Sequence, residues 1–167
     1  TSLDDVVDPG AFEILLVASD RDVAATHPRH FDNAVVYRPR SLVVGLGCDR
    51  GTPPALVERG VATLLARHQL SARSVKAFAT VDLKADEPAL IALAARFGVP
   101  LVTYAAAALD VVPGIETPSA TVARHVGSRG VAEPAALLSA GAAALLVPKQ
   151  IYTEPGAGRS MTFAVAR

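Results

Sequence analysis

Two short apolar runs stand in the first half of the chain, Ser41–Cys48 (SLVVGLGC) and Val75–Val81 (VKAFATV), each followed by residues whose apolar members recur at helical spacing. A run as unbroken as the first is the mark of a strand buried on both faces of a parallel sheet. Parallel neighbours need crossover connections, and the crossovers place helices over both sides of the sheet. Thr52 suits an N-cap and Pro53 a first helical turn, so a helix is expected to about His68 with Val57, Val61, Leu64 and Leu65 on one face. Asp86 or Glu87 would cap a second helix near Pro88, with Leu90, Ile91, Ala94 and Phe97 as its stripe and Gly98 at its end. Val99–Tyr104 reads as a third strand. A short helix is expected from Thr117-Pro118 to Gly127, and another over Val131–Ala140, closed by Gly141, with Pro134 in its first turn. Leu145–Lys149 and Met161–Ala166 read as two final strands joined by the loop Gln150–Ser160. The expected fold is α/β: a three-layer α/β/α domain whose mostly parallel sheet is made mixed by a C-terminal hairpin.

Residues 1–40 read differently. Phe12–Ala18 and Ala34–Tyr37 are strand candidates, separated by the polar stretch Ser19–Asn33 that holds His27-Pro28-Arg29-His30. Two strands without a helical partner make a poor domain. Residues 1–40 are therefore expected to be the tail of a preceding domain and a linker, and 41–167 a domain of their own. That the first residue is Thr1 fits a piece of something longer, with simple Met removal as the alternative.

Composition narrows the function classes. Lys+Arg and Asp+Glu number 16 each over 167 residues, and this balance argues against a nucleic-acid binder while leaving room for a local basic patch facing an anionic small molecule. A hydrophobic share of 51% excludes disorder as the main state. One cysteine, Cys48, excludes an intramolecular disulfide and a multi-Cys zinc site, and the four histidines show no metal-ligand spacing. No signal peptide is visible and no apolar run approaches the ~20 residues of a membrane span, so the cytoplasm is the expected compartment.

The first run of chemistry-bearing residues is Gly45-Leu46-Gly47-Cys48-Asp49-Arg50-Gly51-Thr52, between strand and helix. Glycines there let backbone approach an anion, and a helix N-terminus offers free N–H groups. The spacing matches neither a dinucleotide fingerprint nor a P-loop, and a tight turn would need the same glycines. Cys48, near a helix start, is either a thiol of lowered pKa or a small core residue. The second run is Thr80-Val81-Asp82-Leu83-Lys84-Ala85-Asp86-Glu87-Pro88, on the same carboxyl edge of the sheet, where open α/β sheets bind ligands. Lys84 is either an acid–base or anion-contacting group, or a surface partner of Asp82 beside two helix-capping acids. Ser128 and Arg129 precede a helix start, Glu133 suits that helix dipole, and Lys149 is expected to end a strand, within reach of a bound carboxylate.

Four blocks in order, Leu42–Thr52, Lys76–Pro88, Val126–Gly141 and Leu145–Lys149, together with the terminal TFAVAR, resemble the C-terminal domain of the CbiG cobalamin-biosynthesis family, shared with its stand-alone relative CobE. The resemblance covers Ser41–Arg167; ILLVASDR and VVYRPRSLVV resemble the tail of the CbiG middle domain. Asp49 and Pro134 depart from the family pattern. The resemblance implies corrin-ring construction: opening of the ring-A δ-lactone of cobalt-precorrin-5A with loss of the bridging carbon as acetaldehyde. It implies an anionic tetrapyrrole ligand, no cofactor beyond the cobalt carried by the substrate, and other CbiG domains or corrin-pathway enzymes as partners. Asp82, then Glu133, are the candidate bases, with Lys84 beside them as a catalytic candidate. Gly45, Gly47, Cys48, Arg50, Gly51, Thr52, Thr80, Ser128 and Lys149 are the candidate substrate contacts. The alternative is a non-catalytic tetrapyrrole-binding module of the same pathway.

Overall fold

The computed structural model describes residues 3–24, 27–113, 130–156 and 158–167. The helix expected at Thr117–Gly127 and the candidate contact Ser128 lie outside the described residues.

Five strands form the main sheet: β3 (Leu42–Cys48), β4 (Val75–Val81), β5 (Leu101–Tyr104), β6 (Val147–Thr153) and β7 (Ser160–Ala166), in the order β5-β4-β3-β7-β6. β3, β4 and β5 run parallel, β7 is antiparallel to β3, and β6 is antiparallel to β7. The sheet is mixed, as the terminal hairpin requires. β5 begins two residues later than expected because Pro100 has no N–H for the ladder; its carbonyl instead accepts from Phe78 N at 3.0 Å. The register between β6 and β7 slips between Val147 and Gln150, around Pro148, and β6 then runs on to Thr153. Lys149 therefore lies inside an edge strand and does not end one.

Helices α1 (Pro54–Arg67) and α2 (Pro88–Phe97) cover one face of the sheet. Val44, Leu46, Phe78, Phe163 and Val165 meet Val57, Val61, Leu64, Leu65, Leu90 and Leu93 there. Leu93 is buried and Ile91 is 49% exposed, so the α2 stripe is turned by part of a helical step from the one expected. Thr52 does not cap α1: Pro53 holds the cap position, and the Thr52 hydroxyl donates to the Asp49 carbonyl at 2.6 Å. Two prolines at the start of α1 carry no N–H, which removes part of the demand for a capping side chain. Gly98 and Gly141 end their helices at φ of 62° and 65°, the left-handed conformation that glycine adopts without steric cost.

The short α3 (Ala106–Asp110) and α4 (Ala132–Ala140) lie on the opposite face. Here the sheet presents small groups, Gly45, Ala79, Ala164 and Ala166, to Ala132, Ala135 and Ala136 of α4. The approach is backbone to backbone: a Cβ on Gly45 would overlap the Ala132 carbonyl oxygen and stand 2.8 Å from Ala136 N.

The N-terminal segment carries a separate parallel pair, β1 (Leu15–Ala18) and β2 (Ala34–Tyr37). β1 is shorter than the apolar run Phe12–Ala18 because β2 offers four partners, and the Phe12 carbonyl is taken by Asn33 Nδ2 at 2.6 Å. The segment is sewn to the main body at residues 20–22. Asp22 N donates to Gln69 O at 2.7 Å, and Ser71 N to Asp20 O at 2.8 Å. The buried Asp20 carboxylate accepts from Ser41 Oγ at 2.9 Å and from Arg167 Nη1 at 3.0 and 3.2 Å. Burial pushes the Asp20 carboxyl up, but the bonds from Arg167 and Ser41, with the charges of Arg167 and Arg21, outweigh it and hold the group below its ordinary value.

Two outcomes are expected. Gly45→Ala forces α4 off β3 and costs about 3 kcal/mol in urea unfolding, the upper part of the overpacking range. Asp20 has a depressed folded pKa, so its contribution is present above the ordinary carboxylate range and lost as pH falls through the folded value. Asp20→Asn is therefore expected to cost about 1.5 kcal/mol at pH 7, with the gap to the parent closing as pH falls through the depressed folded value.

Candidate functional site

The register that places Gly45 opposite Ala79 brings the tips of β3 and β4 to one level, so the segment after Cys48 and the segment after Val81 emerge side by side. Both leave the carboxyl edge of the parallel strands, where ligands of open α/β sheets bind. After β3 the chain turns through Asp49-Arg50-Gly51, with Gly51 at φ 71°. After β4 a 3-10 turn (Asp82–Lys84) leads into α2.

The two segments are joined by three contacts. Arg50 Nη1 meets the Asp86 carboxylate at 3.1 Å, and Arg50 Nη2 donates to Leu83 O at 2.6 Å, both at the surface. Gly51 N donates to Glu87 Oε1 at 2.9 Å. Glu87 sits at the cap position of α2, yet its side chain does not cap; it is 1% exposed and turned toward the glycine loop. Its second oxygen, Oε2, has no hydrogen-bond partner and lies 3.9 Å from Lys84 Nζ, whose side chain is 15% exposed. Lys84 thus pairs with Glu87 and not with Asp82. Asp82 is exposed, its Oδ1 accepting from Leu83 N at 2.7 Å.

Asp49, the departure from the family pattern, ties the loop to the start of β7: its carboxylate accepts from Ser160 N at 2.8 Å. A residue able to reach the Ser160 amide is what this turn needs, which accounts for an acid at 49.

The other candidates fall into two groups. Arg50, Gly51, Asp82 and Lys84 lie together on the carboxyl edge, with Cys48 half-buried beneath them. Gly45, Thr52, Thr80 and Glu133 are buried and spend their space or polar atoms on the fold. The close approach of α4 accounts for glycine at 45, and a Cβ on Gly47 would stand 2.6 Å from Thr162 Oγ1. The Thr80 hydroxyl donates to Leu46 O at 2.8 Å from a fully buried site, so it has no surface for a ligand. Glu133, 2% exposed, accepts the Lys149 N–H at 2.9 Å and so links the first turn of α4 to the slipped register of β6. The structure thus places these candidates within the fold, where the sequence reading had set them at a ligand. The feature that reading missed is the buried Glu87; its acidity was visible, but a helix cap explained it equally well.

Of the two readings of Cys48, this environment favours the small packed residue over the thiol of lowered pKa. Burial pushes the thiol up to about 11, reinforced by Glu87 and Asp49 and only partly opposed by Lys84 and the bond with Thr52. α1 starts at Pro54, six residues on, with Pro53 at its cap position.

The fold and this edge define an α/β domain that presents two cations and a carboxylate on neighbouring strand tips. The family described as "Cobalamin synthesis G C-terminus" matches residues 42–166, and the chain belongs to that family. Among curated relatives, it is 40% identical over 135 residues to a cobalt-precorrin-5A hydrolase from Priestia megaterium, covering 81% of this chain and 36% of that protein. It is 39% identical over 113 residues to Protein CobE from a Sinorhizobium species, covering 67% of this chain and 73% of that one. The chain therefore spans about a third of that hydrolase relative and about three quarters of CobE. A crystal structure of CobE, a protein from the cobalamin (vitamin B12) biosynthetic pathway, superposes with a TM-score of 0.65 at 34% identity, over 75% of this chain and 89% of that one. A cobalamin biosynthesis protein G homologue from Sulfolobus solfataricus shares the fold at a TM-score of 0.57 and 19% identity, over 90% of this chain and 43% of that one. No helix among the described residues is long and apolar enough to cross a membrane.

The thiol provides a direct check of this environment. With Cys48 at about 11, the rate of alkylation by iodoacetamide is expected to keep rising through pH 10. A plateau near pH 9 would contradict the buried, acid-flanked geometry.

Proposed function

We propose that this domain takes part in the hydrolysis of cobalt-precorrin-5A, contributing the edge that grips the substrate's carboxylates and opens its ring-A lactone. The observation that carries the reading is the side-by-side emergence of Arg50 and Lys84 with Asp82 from two adjacent parallel strands of a domain in this family. A corrin precursor is an apolar macrocycle bearing carboxylate arms, and guanidinium and ammonium groups at a strand edge suit those arms.

Lactone opening adds water across the acyl–oxygen bond. The water oxygen forms the new bond to the carbonyl carbon, the ring oxygen leaves with the electron pair, and a proton passes from the water to that oxygen. Asp82 is exposed at the strand edge, where water reaches it, which suits a base drawing the proton from water. Lys84 and Arg50 suit the developing oxyanion and the carboxylate that results. Glu133 is a poor base by comparison, since burial and the Lys149 N–H hold it within the fold. Loss of the bridging carbon as acetaldehyde follows, as the family resemblance implies. The cobalt arrives with the substrate and no further cofactor enters the scheme. Other parts of a CbiG-type protein, or neighbouring pathway enzymes, are the fitting partners, in the cytoplasm.

A second reading is a tetrapyrrole-binding module without turnover. It is favoured by the 89% coverage of the CobE crystal chain, a match to nearly the whole of a much shorter protein than the hydrolase relatives.

Acetaldehyde release from cobalt-precorrin-5A by the full chain, alone and mixed with the remaining domains of a CbiG protein, separates the two. On the hydrolase reading Asp82→Asn lowers kcat by about 100-fold, the lower end for a general base, and Lys84→Met raises KM. Undiminished turnover by a protein altered at Arg50, Asp82 and Lys84 together would sink it. A visible-spectrum shift without acetaldehyde in either mixture would favour the binding module.

A further inference from the structure

Among the described residues of the edge, Glu87 is the one side chain whose burial the fold does not repay. A carboxylate at 1% exposure needs its oxygens satisfied, and here only Oε1 is, by Gly51 N at 2.9 Å. Oε2 has a neighbouring charge but no hydrogen bond: Lys84 Nζ stands 3.9 Å away, beyond hydrogen-bond reach. Among the described residues the Lys84 ammonium makes no hydrogen bond, although its side chain is mostly buried. A cap of α2 would have used these oxygens on its own helix; Glu87 instead reaches to a loop 36 positions earlier. We propose that Glu87 is a positioning residue: one oxygen fixes the Gly51 amide, and the other holds the Lys84 ammonium at the loop by charge alone, leaving its N–H donors unspent for a carboxylate of the ligand.

This rests on the lactone-site reading for what Lys84 does, but not for how it is held. A bound side-chain hydrogen bond would consume a donor and fix one direction. Attraction at 3.9 Å fixes the place of the ammonium and leaves its donors available. The pairing also removes the rotamer freedom that a solvated lysine loses on binding a ligand, so less ordering remains to be done at that step.

Cys48 lies beside the pair and is the chain's only cysteine, which makes its thiol a reporter that needs no substrate. Its surroundings are Lys84, Glu87, Asp49 and Thr52, and the Lys84 charge favours the thiolate. At pH 9 the alkylation rate follows the thiolate fraction, so tenfold in rate is one unit of thiol pKa. Lys84→Met is expected to slow iodoacetamide alkylation about threefold in the parent. In the Glu87→Gln background it should change nothing, because the ammonium has already swung into solvent. Equal slowing in both backgrounds, or none in the parent, overturns the proposal. If Glu87→Gln fails to fold by circular dichroism, Glu87→Asp replaces it. That variant keeps the charge on a shorter arm, and Lys84→Met should then slow alkylation less than in the parent; undiminished slowing counts against the proposal.

Uroporphyrin, an octacarboxylate tetrapyrrole, tests what the ammonium is held for. Lys84→Met and Glu87→Gln are each expected to weaken its binding, read by visible absorbance, about tenfold, with no further loss in the double variant. Full-strength binding by Glu87→Gln beside a tenfold loss in Lys84→Met overturns the positioning role. If uroporphyrin does not bind the parent while the thiol cycle behaves as expected, the lactone-site reading falls and the positioning role stands.

Discussion

The backbone contact between Gly45 of β3 and the first turn of α4 is the constraint on which the rest of this structure depends. With no side chain at 45, the Ala132 carbonyl and the Ala136 amide can lie against the strand itself. That closeness explains why the sheet presents Gly45, Ala79, Ala164 and Ala166 to α4, beside Val43 and Val81, while the other face carries phenylalanine, leucine and valine. It also places the start of α4 over the exit of β3. From there Glu133 reaches β6, at the point where Pro148 breaks the ladder. A tight helix on one side and two bulky-faced helices on the other leave the strand tips as the surface where polar groups can gather.

At those tips the chemistry is arranged by charge more than by shape. Arg50 is held at the surface by Asp86 and the Leu83 carbonyl, while Lys84 is held from within by Glu87. The same buried acid anchors the glycine loop, so loop and lysine are set relative to each other by one carboxylate. Cys48 registers this environment through a thiol kept protonated at neutral pH, which makes it a packing residue and not a nucleophile.

Much of the architecture was legible in local pattern. The apolar runs of β3 and β4, the α1 stripe and the helix-ending glycines at 98 and 141 stand where the sequence places them. What was misread depended on neighbours from elsewhere in the chain. Ile91 and Leu93 are both apolar, and only the packing of α2 against α1 and the sheet chose between them. Thr80 looked like a polar group at a strand tip, but the Leu46 carbonyl of the adjacent strand takes its hydroxyl into the interior. The glycines of the loop looked like room for an anion; at 45 and 47 the room belongs to α4 and to Thr162.

The alternation of β3, α1, β4, α2 and β5, the mixed sheet and the clustering of cations and acids after two strands were set by the sequence alone, whereas the short α3 was not foreseen. Periodicity and turn chemistry act over a few residues and need no partner to be read. The direction in which Glu87 faces, the charge-only hold on Lys84 and the purpose of each glycine were decided by tertiary structure. Each depends on a group brought from tens of positions away, and a buried carboxylate takes its role from whichever donor the folded chain delivers to it.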